Sequence, residues 1–148
     1  MIAYVASPFF TPEQVAQVES IVAALDAAGI RSYSPMRDAG VLAPNASREE
    51  RSRVVEANRE AIEDADLVVC NTTGRDLGTV WEAGYACAIF VPVVYLALGL
   101  RGPFNVMLAE TGIATFTTVE DLARFLRRVG RDGGISTSSG PGYAGEIE

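Results

Sequence analysis

Short apolar runs alternate with segments of helical periodicity along most of this chain, and that alternation leaves few folds open. Residues 2–6, 67–70 and 91–96 are too short for helices and too continuously apolar for strands with one wet face. Shorter candidates follow at 30–34, stopped by Pro35, and at 113–116. Strands buried on both sides, each followed by a helix, imply a parallel sheet covered on both faces. Five of them suit a flavodoxin-like, doubly wound α/β order, in which ligands bind beyond the carboxyl ends of the strands. Here those ends are residues 7–10, 35–38 and 71–76.

The helices announce themselves by their caps. Thr11 can cap the first, Pro12 suits its first turn, and Gln14 completes a capping box ahead of the stripe Val15, Val18, Val22 and Leu25. Gly29 should end it. Ser47 and Glu50 form a second box, opening a helix expected to turn Val54, Val55, Ala61, Ile62 and Ala65 inward. The third, about 78–89, is rich in Ala and Gly, which should let it lie close to the sheet. Thr117 and Thr118 open the last, with Val119, Leu122, Phe125, Leu126 and Val129 as its core face and Gly130 as its stop. Residues 36–46 and 98–110 read as loops. At 148 residues the chain fits one domain, 1–130, with a Gly- and Ser-rich tail, 131–148, expected to be mobile.

Composition narrows the chemistry. The chain has no His, and all its Lys+Arg are Arg. A histidine base, a Ser-His-Asp triad, a lysine Schiff base and a P-loop lysine are therefore excluded. The net charge of -7 argues against a nucleic-acid polymer as partner. Cys70 and Cys87 make neither a disulfide framework nor a metal site and read as reduced core residues of a cytoplasmic protein. The N-terminus lacks the basic start and apolar core of a signal peptide. Residues 83–100 carry no charge, but Pro92, Gly84 and Gly99 divide them into a helix end and a buried strand, so no membrane span is expected.

Carboxylates are then the available agents, and two frame a Gly-Thr turn in Asp76-Leu77-Gly78-Thr79-Val80-Trp81-Glu82. Asp76 sits where a helix N-terminus welcomes negative charge, so capping alone would account for it. Glu82 is harder to explain as structure. It lies among Trp81, Ala83, Gly84, Tyr85 and Ala86 with no cation close in sequence, and such a carboxylate is costly unless hydrated, paired or used. Phe9 and Phe10, beside the first strand end, suit core packing and ligand stacking equally. Asp66 reads as structural.

Three ordered blocks within residues 2–130 resemble the nucleoside 2-deoxyribosyltransferase family. The first is Tyr4-Val5-Ala6-Ser7-Pro8-Phe9-Phe10-Thr11-Pro12-Glu13-Gln14. The second runs from Ala65-Asp66-Leu67-Val68-Val69 into Asp76-x-Gly78-Thr79-x-x-Glu82-x-Gly84-Tyr85-Ala86, and is the specific part. The third is Gly102-Pro103-Phe104-Asn105-Val106-Met107. The resemblance implies transfer of 2-deoxyribose between nucleobases, with Glu82 as the nucleophile at C1′ and Tyr4 orienting it. It implies that Asp76 holds the sugar, that Phe9 borders the base, and that Asn105 reaches the site of a neighbouring subunit. The implied assembly is a homo-oligomer with shared sites, handling deoxynucleosides and free bases in nucleotide salvage without a cofactor. Asn58 falls where the family often places an Asp that contacts the base. Tyr143 is a loose counterpart of the family's C-terminal aromatic.

Such chemistry is coherent for a carboxylate. Cleavage builds oxocarbenium character at C1′, a carboxylate below the ring can trap it as an ester, and a second base can attack the face the first one left. The proton donor to the leaving base stays open among Asp38, Asp76 and water. One alternative is hydrolysis of a 2′-deoxynucleoside 5′-monophosphate. Relatives of that kind tend to carry Ser at the position of Asp76, whose charge would repel a phosphate, although Arg37, Arg75 or Arg101 could offset it. The other alternative is a non-catalytic nucleotide-binding module on the same fold.

Overall fold

The computed structural model describes residues 1–135 and 143–148. Five parallel strands form one sheet: β1 (Ile2–Ala6), β2 (Arg31–Tyr33), β3 (Leu67–Asn71), β4 (Val93–Leu96) and β5 (Ala114–Phe116). Their spatial order is β2-β1-β3-β4-β5, the expected flavodoxin-like order. The connectivity reverses between β1 and β3, so their carboxyl ends diverge into a crevice.

Alternation along the strands sorts side chains into two cores. Ala3, Val5, Leu67, Val69, Val94 and Leu96 face one side, under α1 (Pro12–Ala27) and α5 (Val119–Asp132). Tyr4, Ala6, Val68, Cys70, Val93 and Tyr95 face the other, under α2 (Arg48–Glu63), α3 (Leu77–Ala88) and the short α4 (Val106–Thr111). Both predicted capping boxes are formed, with Gln14 and Glu50 reaching back to the amides of Thr11 and Ser47. Asp66 accepts the Ile2 amide at 2.8 Å, a structural role, as read from the sequence. No helix among the described residues is long and apolar enough to cross a membrane.

Four local expectations are corrected. Val55 is 52% exposed, because the first half of α2 turns Val54 and Ala57 toward residues 38–46 and leaves Val55 on the outer face, and only Ile62 of this helix is fully buried. Gly130 does not stop α5. It continues to Asp132, and left-handed Gly133 ends it. Gly130 serves close packing instead, since a Cβ there would lie 2.0 Å from the Ala28 carbonyl oxygen of α1. Residues 35–39, expected as loop, form one π-helical turn closed by the Gly40 amide on the Pro35 carbonyl. The expected loop 98–110 contains the start of α4, where Asn105 Oδ1 accepts the amides of Met107 and Leu108 at 3.0 and 3.4 Å.

The expected mobile tail falls partly on residues 136–142, which lie outside the described residues. Beyond them the chain returns to the sheet's carboxyl edge. The Phe104 amide donates to the Glu146 carbonyl, and the Glu148 amide to the Phe104 carbonyl.

Candidate active site

The crevice between β1 and β3 is built by residues that hold its rims together. Asn71, fully buried at the end of β3, donates from Nδ2 to Ser7 Oγ at 3.0 Å and to Gln17 Oε1 at 2.9 Å. Its Oδ1 accepts the Thr73 amide. One side chain thus ties the loop after β1, helix α1 and the loop after β3. Sequence reading passed over it, because an Asn closing an apolar run looks like ordinary turn chemistry.

Tyr4 lies on β1 with no exposed surface, and its hydroxyl donates to Glu82 Oε1 at 2.7 Å. The strand fixes the phenol at its base. Helix α3 fixes the carboxylate, because Ala83 and Ala86 seat the helix on the sheet. Gly84, expected to help that approach, faces open space. Burial raises the Glu82 pKa first, the Tyr4 hydrogen bond lowers it, and the Asp76 charge raises it, leaving it at about 7. Tyr4 is held far above its ordinary value by burial and by the Glu82 carboxylate, so it remains a donor.

Asp76 caps α3. Its Oδ2 accepts both the Thr79 amide at 2.8 Å and the Thr79 hydroxyl at 2.9 Å, and Oδ1 takes part in neither bond. Gly78 keeps that turn tight, since a Cβ there would sit 3.2 Å from Oδ2. The Gly-Thr pair is therefore the local reason Asp76 and Glu82 occupy one end of one helix. The intervening Leu77 and Trp81 face solvent.

Reading residues one at a time passes over Tyr33. It pairs in register with Tyr4, and the two rings stack at 5.6 Å and 13°. Burial raises its pKa, followed by the charges of Asp38 and then Glu82, so this phenol feels both carboxylates. The signal was the strand order, since placing β2 beside β1 aligns the two tyrosines. Asp38 is bound into the π turn, where Oδ2 accepts the Ser34 amide at 2.7 Å and pairs with Arg37 at 3.2 Å. Beside it, a cleft of about 500 Å³ opens between residues 38–46 and α2, walled by Val41, Leu42, Val54 and Ala57.

The other expected site residues are more scattered. Arg37 donates to the Ser32 carbonyl at 2.7 Å and lines a separate cleft against α1. Phe9 stacks on exposed Phe10 at 5.3 Å and packs against the α1-side core. Asn58 lies on α2 with its buried Oδ1 lacking any hydrogen-bond partner. Asn105 spends its Oδ1 on capping α4, which leaves Nδ2 as its donor. Among the described residues no group of His, Cys, Asp or Glu could hold a metal ion.

The family model for nucleoside 2-deoxyribosyltransferase matches residues 3–114. Among solved structures, the chain is similar to a 2-deoxyribosyltransferase from the psychrotolerant bacterium Bacillus psychrosaccharolyticus. The identity is 27% and the TM-score 0.73, over 83% of this chain and 90% of that one. A conserved protein from Enterococcus faecalis shares the fold at 20% identity and TM-score 0.73, covering 86% of this chain and 98% of that one. So does a CMP N-glycosidase from Clostridium botulinum, at 14% identity and TM-score 0.59, over 85% and 98%. No curated protein matches the sequence significantly.

Proposed function

The chain belongs to the nucleoside 2-deoxyribosyltransferase family, and from that premise we propose that it moves 2-deoxyribose between nucleobases through an ester on Glu82. The observation that carries this reading is the hydrogen bond from buried Tyr4 to partly buried Glu82 at the β1/β3 crevice. With a pKa of about 7, Glu82 is substantially ionised at neutral pH. Burial leaves that ionised form poorly solvated and therefore reactive. Its Oε1 is held by the Tyr4 hydroxyl, so the second carboxylate oxygen is the one free to attack.

In the proposed first step that oxygen bonds to C1′ as the C1′–N bond breaks, and the electron pair leaves with the base, which takes up a proton. In the second, a different base attacks C1′ from the vacated face, Glu82 is released as carboxylate, and the incoming base gives up its ring N–H proton, replacing the one taken up in the first step. Two inversions give net retention. Asp76 Oδ1 would accept from a sugar hydroxyl while Oδ2 keeps the helix capped. The cleft beside Asp38 offers apolar walls for a flat ring. Asn105 Nδ2 would donate to the sugar in a neighbouring subunit's site, within a homo-oligomer.

Incubation with a deoxynucleoside and a second free base, followed by chromatography of both bases, tests the assignment. Exchange that requires the acceptor is expected, with one deoxyribosyl group retained on the protein when the acceptor is withheld. Base release from a 5′-monophosphate with no use of free nucleosides would overturn the transferase reading.

A further inference from the structure

Arg75 is the positive charge next in sequence to Asp76, and the fold brings it a partner from the far end of the chain. Residues 146–148 lie along 104–106 through an isolated parallel bridge between Phe104 and Ile147. Phe104 donates its amide to the Glu146 carbonyl at 2.8 Å, Glu148 donates to the Phe104 carbonyl at 3.0 Å, and Val106 donates to the Glu148 carbonyl at 3.0 Å. The Tyr143 ring packs on Phe104 at 5.2 Å. Both backbone polar groups of Glu148 are thus committed, which holds its Cα beside the loop that carries Arg75. Its Oε1 lies 3.7 Å from the Arg75 guanidinium. Arg75 is itself constrained, with a left-handed φ of 55° and its amide on the Thr72 carbonyl at 3.0 Å.

Resting on the transferase reading above, we propose that Glu148 is a specificity residue that occupies Arg75 and thereby turns away substrates carrying a 5′-phosphate. A guanidinium is the side chain best suited to a phosphate. Left free beside Asp76, Arg75 would offset the repulsion between that carboxylate and a phosphate. Paired with Glu148, it adds no net attraction, and a second carboxylate stands at the same rim. The arrangement explains how a site with an arginine next to its sugar-binding carboxylate can still prefer an uncharged nucleoside.

The partners are largely exposed, so the effect is a preference. The test is kcat/KM for a 2′-deoxynucleoside and for its 5′-monophosphate with the same base. Glu148→Gln keeps the backbone bonds and the side-chain shape. It is expected to shift the ratio about fivefold toward the monophosphate, mainly through KM, as releasing an exposed ion pair allows. Nucleoside turnover should change less than about twofold on the same grounds. In the Arg75→Gln/Glu148→Gln double variant the gain should vanish.

An unchanged ratio in Glu148→Gln would overturn the proposal. So would an equal loss on both substrates, which marks a packing role, or a gain that persists without Arg75. Any of these in a protein that still exchanges bases sinks Glu148 alone. A wild-type protein that acts only on the monophosphate sinks the transferase reading and this proposal with it.

Discussion

Replacing Glu82 by Gln should make the protein more stable while stopping turnover. The folded state keeps the Glu82 proton up to about pH 7, against an ordinary value of 4.5. Between those two values the folded chain binds a proton that the unfolded chain has already lost, so stability falls as pH rises through this window. The raised pKa favours folding fully below about 4.5, and that contribution is gone above about 7. At about 1.4 kcal/mol per decade of pH, the ionised carboxylate costs about 3 kcal/mol in alkaline solution.

Gln has nearly the same shape, carries no charge, and can still accept the Tyr4 hydroxyl. At about pH 8, Glu82→Gln should therefore raise stability by up to ~3 kcal/mol, or Tm by roughly 6 to 12 °C for a chain of this size. Thermal and urea melts across the pH range are the assay. The gain should shrink on acidification and disappear near pH 4, where both side chains are neutral. A variant no more stable than wild type at alkaline pH would refute the claim that burial dominates at Glu82. A gain that does not depend on pH would refute it too.

Three further outcomes follow from the same geometry. Tyr4→Phe removes the hydrogen bond that lowers the Glu82 pKa, so the rise of activity with pH should move above about 7. A loss of roughly tenfold in kcat at neutral pH is expected from a bond to a charged group, partly recovered in alkali. Asp76→Ala should cost about 1 kcal/mol by uncapping α3, and should let the Glu82 pKa fall, visible as an acid-shifted activity profile with a raised KM. Gly130→Ala should cost about 1–3 kcal/mol in denaturant melts without altering KM, because its Cβ would enter the Ala28 carbonyl.

What could be read from the sequence followed periodicity and caps. Apolar runs located the strands, and the boxes at Thr11 and Ser47 marked where helices begin. The spacing of Asp76, Gly78, Thr79 and Glu82 fixed a turn and one helix end, so it pointed to the site directly. Where the reading failed, local pattern did not carry the deciding information. Gly130 looks like a helix stop and is a contact point with α1. Asn105 looks like a loop residue because the helix it caps has only six residues. Val55 fits the apolar stripe of α2, but that half of the helix turns Val54 and Ala57 toward residues 38–46 and leaves Val55 on the outer face. The Tyr33–Tyr4 stack needs the strand order, which no local pattern contains. The return of residues 146–148 needs a chain closure, and their composition gives no hint of it.

The Tyr4–Glu82 bond joins the sheet's interior to a helix seated on it, while much of the crevice's rim stands on connecting segments. Residues 35–46, 72–75, 104–106 and 146–148 can drift without moving the bond between phenol and carboxylate. Reactivity and selectivity are therefore separately heritable in this chain. A library confined to those four segments should yield altered donor and acceptor preferences at nearly constant intrinsic rate, whereas changes in β1 or α3 should mostly yield silence.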